Sequence, residues 1–372
     1  MQNYRKEFPV TKNLVYVNHA GVSPIPLRAH QYMQEFITDS LHWGSKNFTG
    51  RIETVKSTRD NGARLLGCSS DEIAFIKSTT HGIILCARGI PFRKGDNVLI
   101  PEREFPANVI PWLALKEKGV EVRFVPEREN RFHIDDFAAL MDKNTRAVSV
   151  SFVEFSTGFR NAIKKIAELC HEKKVLLIVD GIQAAGVIPI NVKELGIDFM
   201  SMDAHKWLLG PEGIGYFYAN KDSIDKIENI FEGWLAMENF MDFLNYNQPR
   251  KKTASRFEEG APNFAGMSGL KGSTEVLLEA GIENVYQHVQ MLLDFLSEGL
   301  KRKGYVITSP REDESEKSGI LCFRHPQKDM TEIFHLLVGN DILPALREGN
   351  IRISPHFYNN REEMEKIIDS IP

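Results

Sequence analysis

The chain runs to 372 residues, enough for two domains and a large buried core. Hydrophobic residues make up 42% and charged residues 26%, the proportions of a globular protein, which excludes a disordered or fibrous chain. A formal net charge of −4 gives nucleic acid or an anionic membrane surface no electrostatic hold, and no apolar run approaches the roughly 20 residues of a membrane-spanning helix.

The opening residues, Met1-Gln2-Asn3-Tyr4-Arg5-Lys6-Glu7-Phe8-Pro9, lack the apolar core of a secretory signal, so a cytoplasmic location is expected. Cys68, Cys86, Cys170 and Cys322 are widely separated, with no CxxC pair and no histidine cluster nearby. They read as reduced, packed thiols rather than disulfides or zinc ligands, and no metal is expected. Strand-like apolar runs then fall at 73–76, 97–100, 121–125, 147–153, 175–179, 198–202 and 214–218. Amphipathic stretches lie between them, at 107–118, 134–141 and 162–173 among others. In the last of these Ile163, Ile166, Ala167 and Cys170 recur at helical spacing, with lysines and Glu168 on the other face. Strands alternating with helices predict an α/β fold, with a mainly parallel seven-stranded sheet covered on both faces.

The C-terminal part has a different rhythm. Helices are expected at 269–278 and 282–300, an exposed charged loop at 311–318, strands at 319–324 and 351–354, and helices at 331–339 and 361–368. These predict a smaller α+β domain. The expected division is a large domain over 15–264 and a small one over 265–372, joined by the N-terminal segment 1–14. No internal repeat or low-complexity tract interrupts the chain.

The residues that carry chemistry follow the predicted strands. Val175-Leu176-Leu177-Ile178-Val179-Asp180 delivers a carboxylate at the end of an apolar run, with Gln183 three residues on. The next apolar run delivers Asp203-Ala204-His205-Lys206. In a parallel sheet both turns lie on the carboxyl edge, where open α/β folds bind ligands. A lysine amine forms a Schiff base with an aldehyde cofactor, and a buried aspartate holds a pyridine nitrogen protonated; pyridoxal 5′-phosphate needs both groups. Lys77-Ser78-Thr79-Thr80-His81-Gly82 opens a helix after the first strand and offers backbone N–H groups to a phosphate, although a plain Ser/Thr N-cap has the same form. Phe105, after the second strand, offers a ring to stack on a pyridine, although a lone Phe in a loop is usually packing. Gly210-Pro211-Glu212-Gly213-Ile214-Gly215 leads into a strand and not a helix, so it is no dinucleotide loop and is expected to form the turn that positions Lys206.

With Val179-Asp180-Gly181-Ile182-Gln183-Ala184 and Ala204-His205-Lys206 as its most specific parts, the sequence resembles the class V aminotransferase family of pyridoxal-phosphate enzymes, of fold type I. The likeness extends from Tyr16-Val17-Asn18-His19-Ala20-Gly21 to the final helix. It implies that Lys206 holds the cofactor as a Schiff base, with Asp180 on the pyridine nitrogen and Gln183 on the phenolic oxygen. It also implies Phe105 stacked on the ring and Thr80, His81, Asp203 and His205 lining the phosphate. Arg352 matches the arginine that fixes a substrate α-carboxylate, Asn18 and His19 fall at the mouth of the site, and the segment 256–263 approaches it near a subunit boundary. A homodimer is implied as well.

Departures from the family pattern are informative. Cysteine desulfurases carry a catalytic cysteine on a loop before the carboxylate arginine, and Ile342-Leu343-Pro344-Ala345-Leu346-Arg347-Glu348-Gly349-Asn350-Ile351-Arg352 is short and holds none. That speaks against sulfur mobilisation. Phe155 and Ala261 replace an asparagine and a threonine that contact the cofactor elsewhere in the family, bringing the chain nearer the isopenicillin-N-epimerase-like branch. The leading expectation is an aminotransferase acting on an amino acid. A pyridoxal-phosphate lyase or epimerase with the same resting site is the alternative, and a catalytically silent cofactor-binding protein is the non-enzyme alternative. A nicotinamide dehydrogenase is disfavoured by the missing GxGxxG after the first strand.

Overall fold

The structure, a computed structural model, describes residues 1–372 with the exception of the Gln2 side chain. Its large sheet is built from β2 (Ile73–Ile76), β3 (Asn97–Pro101), β4 (Glu121–Val125), β5 (Thr145–Ser151), β6 (Leu176–Asp180), β7 (Phe199–Asp203) and β8 (Gly215–Ala219), with β1 (Val15–Tyr16) lying elsewhere. The order across the sheet is β2-β8-β7-β6-β5-β3-β4, and β8 alone runs antiparallel to its neighbours. The sheet is thus seven-stranded and mainly parallel, as the alternating runs predict. Along β6 alternate side chains face opposite ways. Leu177 and Val179 enter one hydrophobic core while Leu176 and Ile178 enter a second on the other face. Burial on both faces explains why these strands read as continuous apolar runs.

Helices α1 (Leu27–Trp43), α2 (Phe48–Leu66), α3 (Thr79–Gly89), α4 (Ile110–Leu113), α5 (Ile134–Leu140) and α6 (Ile163–Glu172) belong to this half. α1 and α2 pack on α7 (Phe264–Ala280). The single helix expected at 107–118 is a four-residue α4 between two short 3-10 turns. Pro106 and Pro111 remove two of its N–H donors, and a continuous helical ladder cannot form around them.

The smaller C-terminal domain includes α8 (Ile282–Arg302), whose Val285, Val289, Leu292, Leu296 and Leu300 are buried along one face. β9 (Val306–Ile307), β10 (Leu321–Arg324), α9 (Met330–Gly339), β11 (Ile342–Leu343), β12 (Ala345–Arg347), β13 (Asn350–Ile353) and α10 (Arg361–Asp369) complete the chain. β12-β13-β10-β9 form an antiparallel sheet, and β1 pairs with β11. Two further contacts tie the first residues to this part of the chain. Arg5 forms an ion pair with Glu363 at 2.7 Å, and Phe8 stacks on Tyr358. The charged stretch 311–318 is exposed over 312–315, as expected, and is tied down at its flanks: Arg311 and Lys317 bond to Asp294 of α8, and Arg131 to Glu316.

Candidate active site

Two neighbouring parallel strands, β6 and β7, end at Asp180 and Asp203, and the chain leaving each of them walls a cavity of about 410 Å³. Thr80, Phe105, Asp180, Gln183, Asp203, His205, Lys206 and Arg352, all singled out from the sequence, line it together. Asn18 does not line it but touches Arg352, with Arg352 Nη2 3.4 Å from Asn18 Oδ1. The structure does not bring His19 or His81 to the cavity. His19 is fully buried, its Nδ1 2.8 Å from the Ser354 carbonyl and its Nε2 2.7 Å from the Tyr358 hydroxyl. His81 lies over an adjacent cavity that Ala261 also lines, its ring 5.2 Å from that of Phe231.

The lysine turn is held from both sides. Ala204 N–H donates to the Ile214 carbonyl at 2.9 Å, Gly210 N–H to the Ala204 carbonyl at 2.9 Å, and Leu209 adopts a left-handed φ of 58°. The turn that holds Lys206 is therefore 204–210, which Gly210 closes, while 211–214 of the expected 210–215 turn lead into β8. Lys206 Nζ emerges 5.5 Å from the centre of the Phe105 ring. Burial is the main influence on that amine and pulls it down to about 8; Asp180 opposes the shift, while Arg352 and Arg347 add to it.

Asp180 is 3% exposed, and burial raises its carboxyl to about 6. One oxygen accepts from Ile182 N–H at 3.0 Å. Gln183 is anchored at both ends: Trp207 Nε1 donates to its carbonyl at 2.9 Å, and its amide donates to the Ala20 carbonyl at 3.0 Å. One amide proton stays free for a further acceptor. Ser78 caps α3, accepting from His81 N–H at 3.2 Å, while Thr79 Oγ1 accepts from Asp203 N–H at 3.0 Å. First-turn amides of a helix have no intrahelical acceptor, so this end of α3 presents donors and a positive dipole end. Gly82 lets it sit close, since a Cβ there would fall 2.3 Å from Ser201 Oγ of β7.

Arg352 is 2% exposed and lacks a carboxylate partner among the described residues. Nη1 donates to the Phe155 carbonyl at 2.7 Å, and the buried Nε has no acceptor. Burial lowers this guanidinium to about 10. A buried cation with an open N–H is a site for an anion.

Two residues were not assigned from the sequence. Arg347 lines the cavity from β12. Glu104, next to Phe105, is buried behind it and accepts from Ser151 N–H and Ser151 Oγ at 2.5 Å each. Burial pushes Glu104 up to about 8, and Glu154 nearby is raised well above the carboxylate range for the same reason. A glutamate inside a loop motif carries no sequence signal of burial. With a folded value above its ordinary 4.5, Glu104 keeps a proton that the unfolded chain releases between those two values. Stability therefore falls as pH rises through that window. Glu104→Gln, which copies the neutral carboxyl, is expected to match wild-type apoprotein in stability at pH 4.5 and to exceed it by a few kcal/mol at pH 9. Chemical denaturation at the two pH values tests this, and a pH-independent difference would refute it.

Comparison with known proteins gives the geometry a family. The family model described as "Aminotransferase class-V" matches residues 15–367. The chain belongs to the class-V aminotransferase family. Its cofactor is pyridoxal 5′-phosphate, and the residues present fit that group: a buried carboxylate, an amine brought toward neutrality and a helix N-terminus face one cavity. Among its class-V relatives, a probable cysteine desulfurase of Methanothermobacter thermautotrophicus is 27% identical, covering 100% of this chain and 97% of its own. The uncharacterized aminotransferase YcbU of Bacillus subtilis is also 27% identical over the same shares. Among solved structures, apo cysteine desulfurase from Thermococcus onnurineus NA1 matches with a TM-score of 0.88 at 23% identity, over 99% of this chain and 96% of that one. The cystine C–S lyase C-DES in complex with cysteine persulfide matches at 0.89 and 21%, over 97% and 98%. At these identities the likeness is one of fold, fold type I.

Proposed function

We propose that this class-V enzyme is an aminotransferase acting on an α-amino acid through the Lys206 amine. The observation that carries the reading is Arg352, a buried guanidinium with a free Nε on the wall of the same cavity as a buried lysine. A protein that only stored the cofactor has no use for that carboxylate clamp. When bound, the cofactor supplies an electron sink for charge developed at the substrate α-carbon. Lys206 would hold it through Nζ, and as a free amine would take the substrate's α-proton on that atom. An amine at about 8 is neutral often enough near pH 7–8 to do so. Asp180 would hold the ring nitrogen protonated through a carboxylate oxygen, an interaction that would draw its own pKa back down. Gln183 would offer its free amide proton to the phenolic oxygen, and Phe105 would supply a ring to stack on the pyridine. Thr80, His205 and the α3 amides would receive the phosphate, with Asp203 beside them 3.2 Å from His205 Nδ1 and His81 facing the adjacent cavity. Arg352, steadied by Asn18, holds the α-carboxylate and so aims the α-proton at Lys206.

The chain's own thiols support this choice over desulfuration. The cysteine-bearing loop is replaced by the β12–β13 hairpin, closed by a two-residue turn at Glu348 (φ 48°) and Gly349 (φ 73°). Cys322 is buried beside Arg352, where burial pushes its thiol up to about 11, and it donates to the Ser156 carbonyl. The second reading is a lyase or epimerase, which uses the same lysine and no protein thiol; relatives named as a desulfurase and a C–S lyase favour the lyase form. Single turnover of the holoenzyme with an amino-acid panel and no acceptor separates the two. An aminotransferase releases one keto acid per site and stops, with the amino group kept on the protein. Product that keeps accumulating without an acceptor overturns the transferase reading.

The same reading includes a homodimer. Leu41, Trp43, Phe243, Leu244 and Tyr246 are each more than half exposed, and such apolar side chains suit a protein partner. A cytoplasmic setting suits the four unpaired cysteines.

A further inference from the structure

We infer that the substrate is an α-amino dicarboxylate, its distal carboxylate held by Arg347. The inference rests on the reading of Arg352 as the α-carboxylate clamp. Five charged groups other than histidine line the cavity: Asp180, Asp203, Lys206, Arg347 and Arg352. Four of them have work or partners. Asp203 accepts from Ala204 N–H at 2.7 Å and lies 3.2 Å from His205 Nδ1. Asp180 and Lys206 serve the cofactor, and Arg352 serves the α-carboxylate. Arg347 is left over. Its side chain's only hydrogen bond among the described residues is from Nη1 to the carbonyl of its neighbour Leu346, at 2.9 Å, and no carboxylate pairs with it. The adjacent Glu348 is already paired with Arg103.

The hairpin fixes where that guanidinium starts. Arg347 is directly opposite Asn350, and Ala345 opposite Arg352, in antiparallel register. Cross-strand partners project to the same face, as do residues two apart on one strand. Arg347, Asn350 and Arg352 therefore share a face, with Arg347 and Arg352 on the diagonal, a spacing of about 7–8 Å. Arg352 sits deep and Arg347 toward solvent, the order in which an amino acid bound by its α-carboxylate presents its side chain outward. A monocarboxylate leaves Arg347 without a counter-charge and sets two like charges on one hairpin face. A second carboxylate three or four bonds from the first reaches it. The short hairpin that displaces a loop thus supplies a fixed cation at the pocket mouth.

The test uses holoenzyme and two unreactive probes, glutarate and valerate, which share a five-carbon chain and differ in the second carboxylate. Binding is followed by calorimetry for wild type, Arg347→Gln, Arg347→Lys and Arg352→Ala. Glutarate is expected to bind wild type at least about tenfold more tightly than valerate, as a charge-assisted bond requires. That ratio should fall to near one in Arg347→Gln and be partly kept in Arg347→Lys. Equal affinity for the two probes in wild type, including no measurable binding of either, overturns the proposal, and so does a ratio that survives Arg347→Gln. Arg352→Ala reports separately: if it leaves valerate binding untouched, the clamp reading fails. Single turnover with glutamate against glutamine should show the same preference for the charged side chain.

Discussion

Lys206→Ala protein, mixed with pyridoxal 5′-phosphate, is expected to hold no cofactor that borohydride can fix to the chain. Its amino-acid turnover should fall by about 10⁴-fold or more, because one residue is both anchor and base. The wild-type comparison carries a sharper signature. Only a neutral amine attacks an aldehyde, and burial sets the Lys206 amine at about 8 rather than 10.5. The second-order rate of covalent capture by apoprotein should therefore climb about tenfold per pH unit below 8 and level off above it. An exposed lysine would keep climbing for two further units. Arg347 and Arg352 both lower the amine, so Arg347→Gln should move the midpoint upward. Stopped-flow absorbance on apoprotein gives the profile. A visible spectrum unchanged in Lys206→Ala, or a wild-type profile still rising at pH 10, would dismantle the assignment.

How much of this could be read from sequence depended on which physical signal each element leaves. Strands β5, β6 and β7 are buried on both faces, so their apolar runs stand out and the residues just after them mark the site edge. α8 shows its buried stripe at helical spacing for the same reason. α1 and α2 went unrecognised. In α1 the stripe Ala29, Tyr32, Met33 and Phe36 that meets α7 is narrow and, apart from Ala29, only half-buried, while exposed Leu27, Ile37 and Leu41 blur it in the sequence. Glu104 and Arg347 were missed because nothing local distinguishes a buried glutamate or a pocket-facing arginine from a solvated one. Their roles depend on Ser151 in one case and on the β12–β13 register in the other. His19 failed in the opposite way: its place in the Asn18–Gly21 turn suggested the pocket mouth, while its ring is tied to Ser354 and Tyr358.

Arg352→Ala separates the two halves of the site. Its guanidinium is not among the groups that face Lys206 or Asp180 by hydrogen bonding; it is held by the Phe155 carbonyl and Asn18. Removing it should leave cofactor affinity within a few-fold while weakening amino-acid binding by about 100-fold, the weight of a buried charge-assisted pair. The loss should appear mainly in KM, with a smaller fall in kcat because the α-carbon is no longer aimed at Lys206. Stability should not suffer in proportion. The wild-type guanidinium is buried without a carboxylate, so its removal relieves a desolvated charge while leaving a cavity and an unbonded Phe155 carbonyl. Arg352→Lys restores the charge but not the two-pronged geometry, and should recover only part of the affinity. Absorbance titration with cofactor and then with amino acid measures both constants on one sample. Equal loss of the two would make Arg352 a structural residue, and the case for an amino-acid substrate would fall with it.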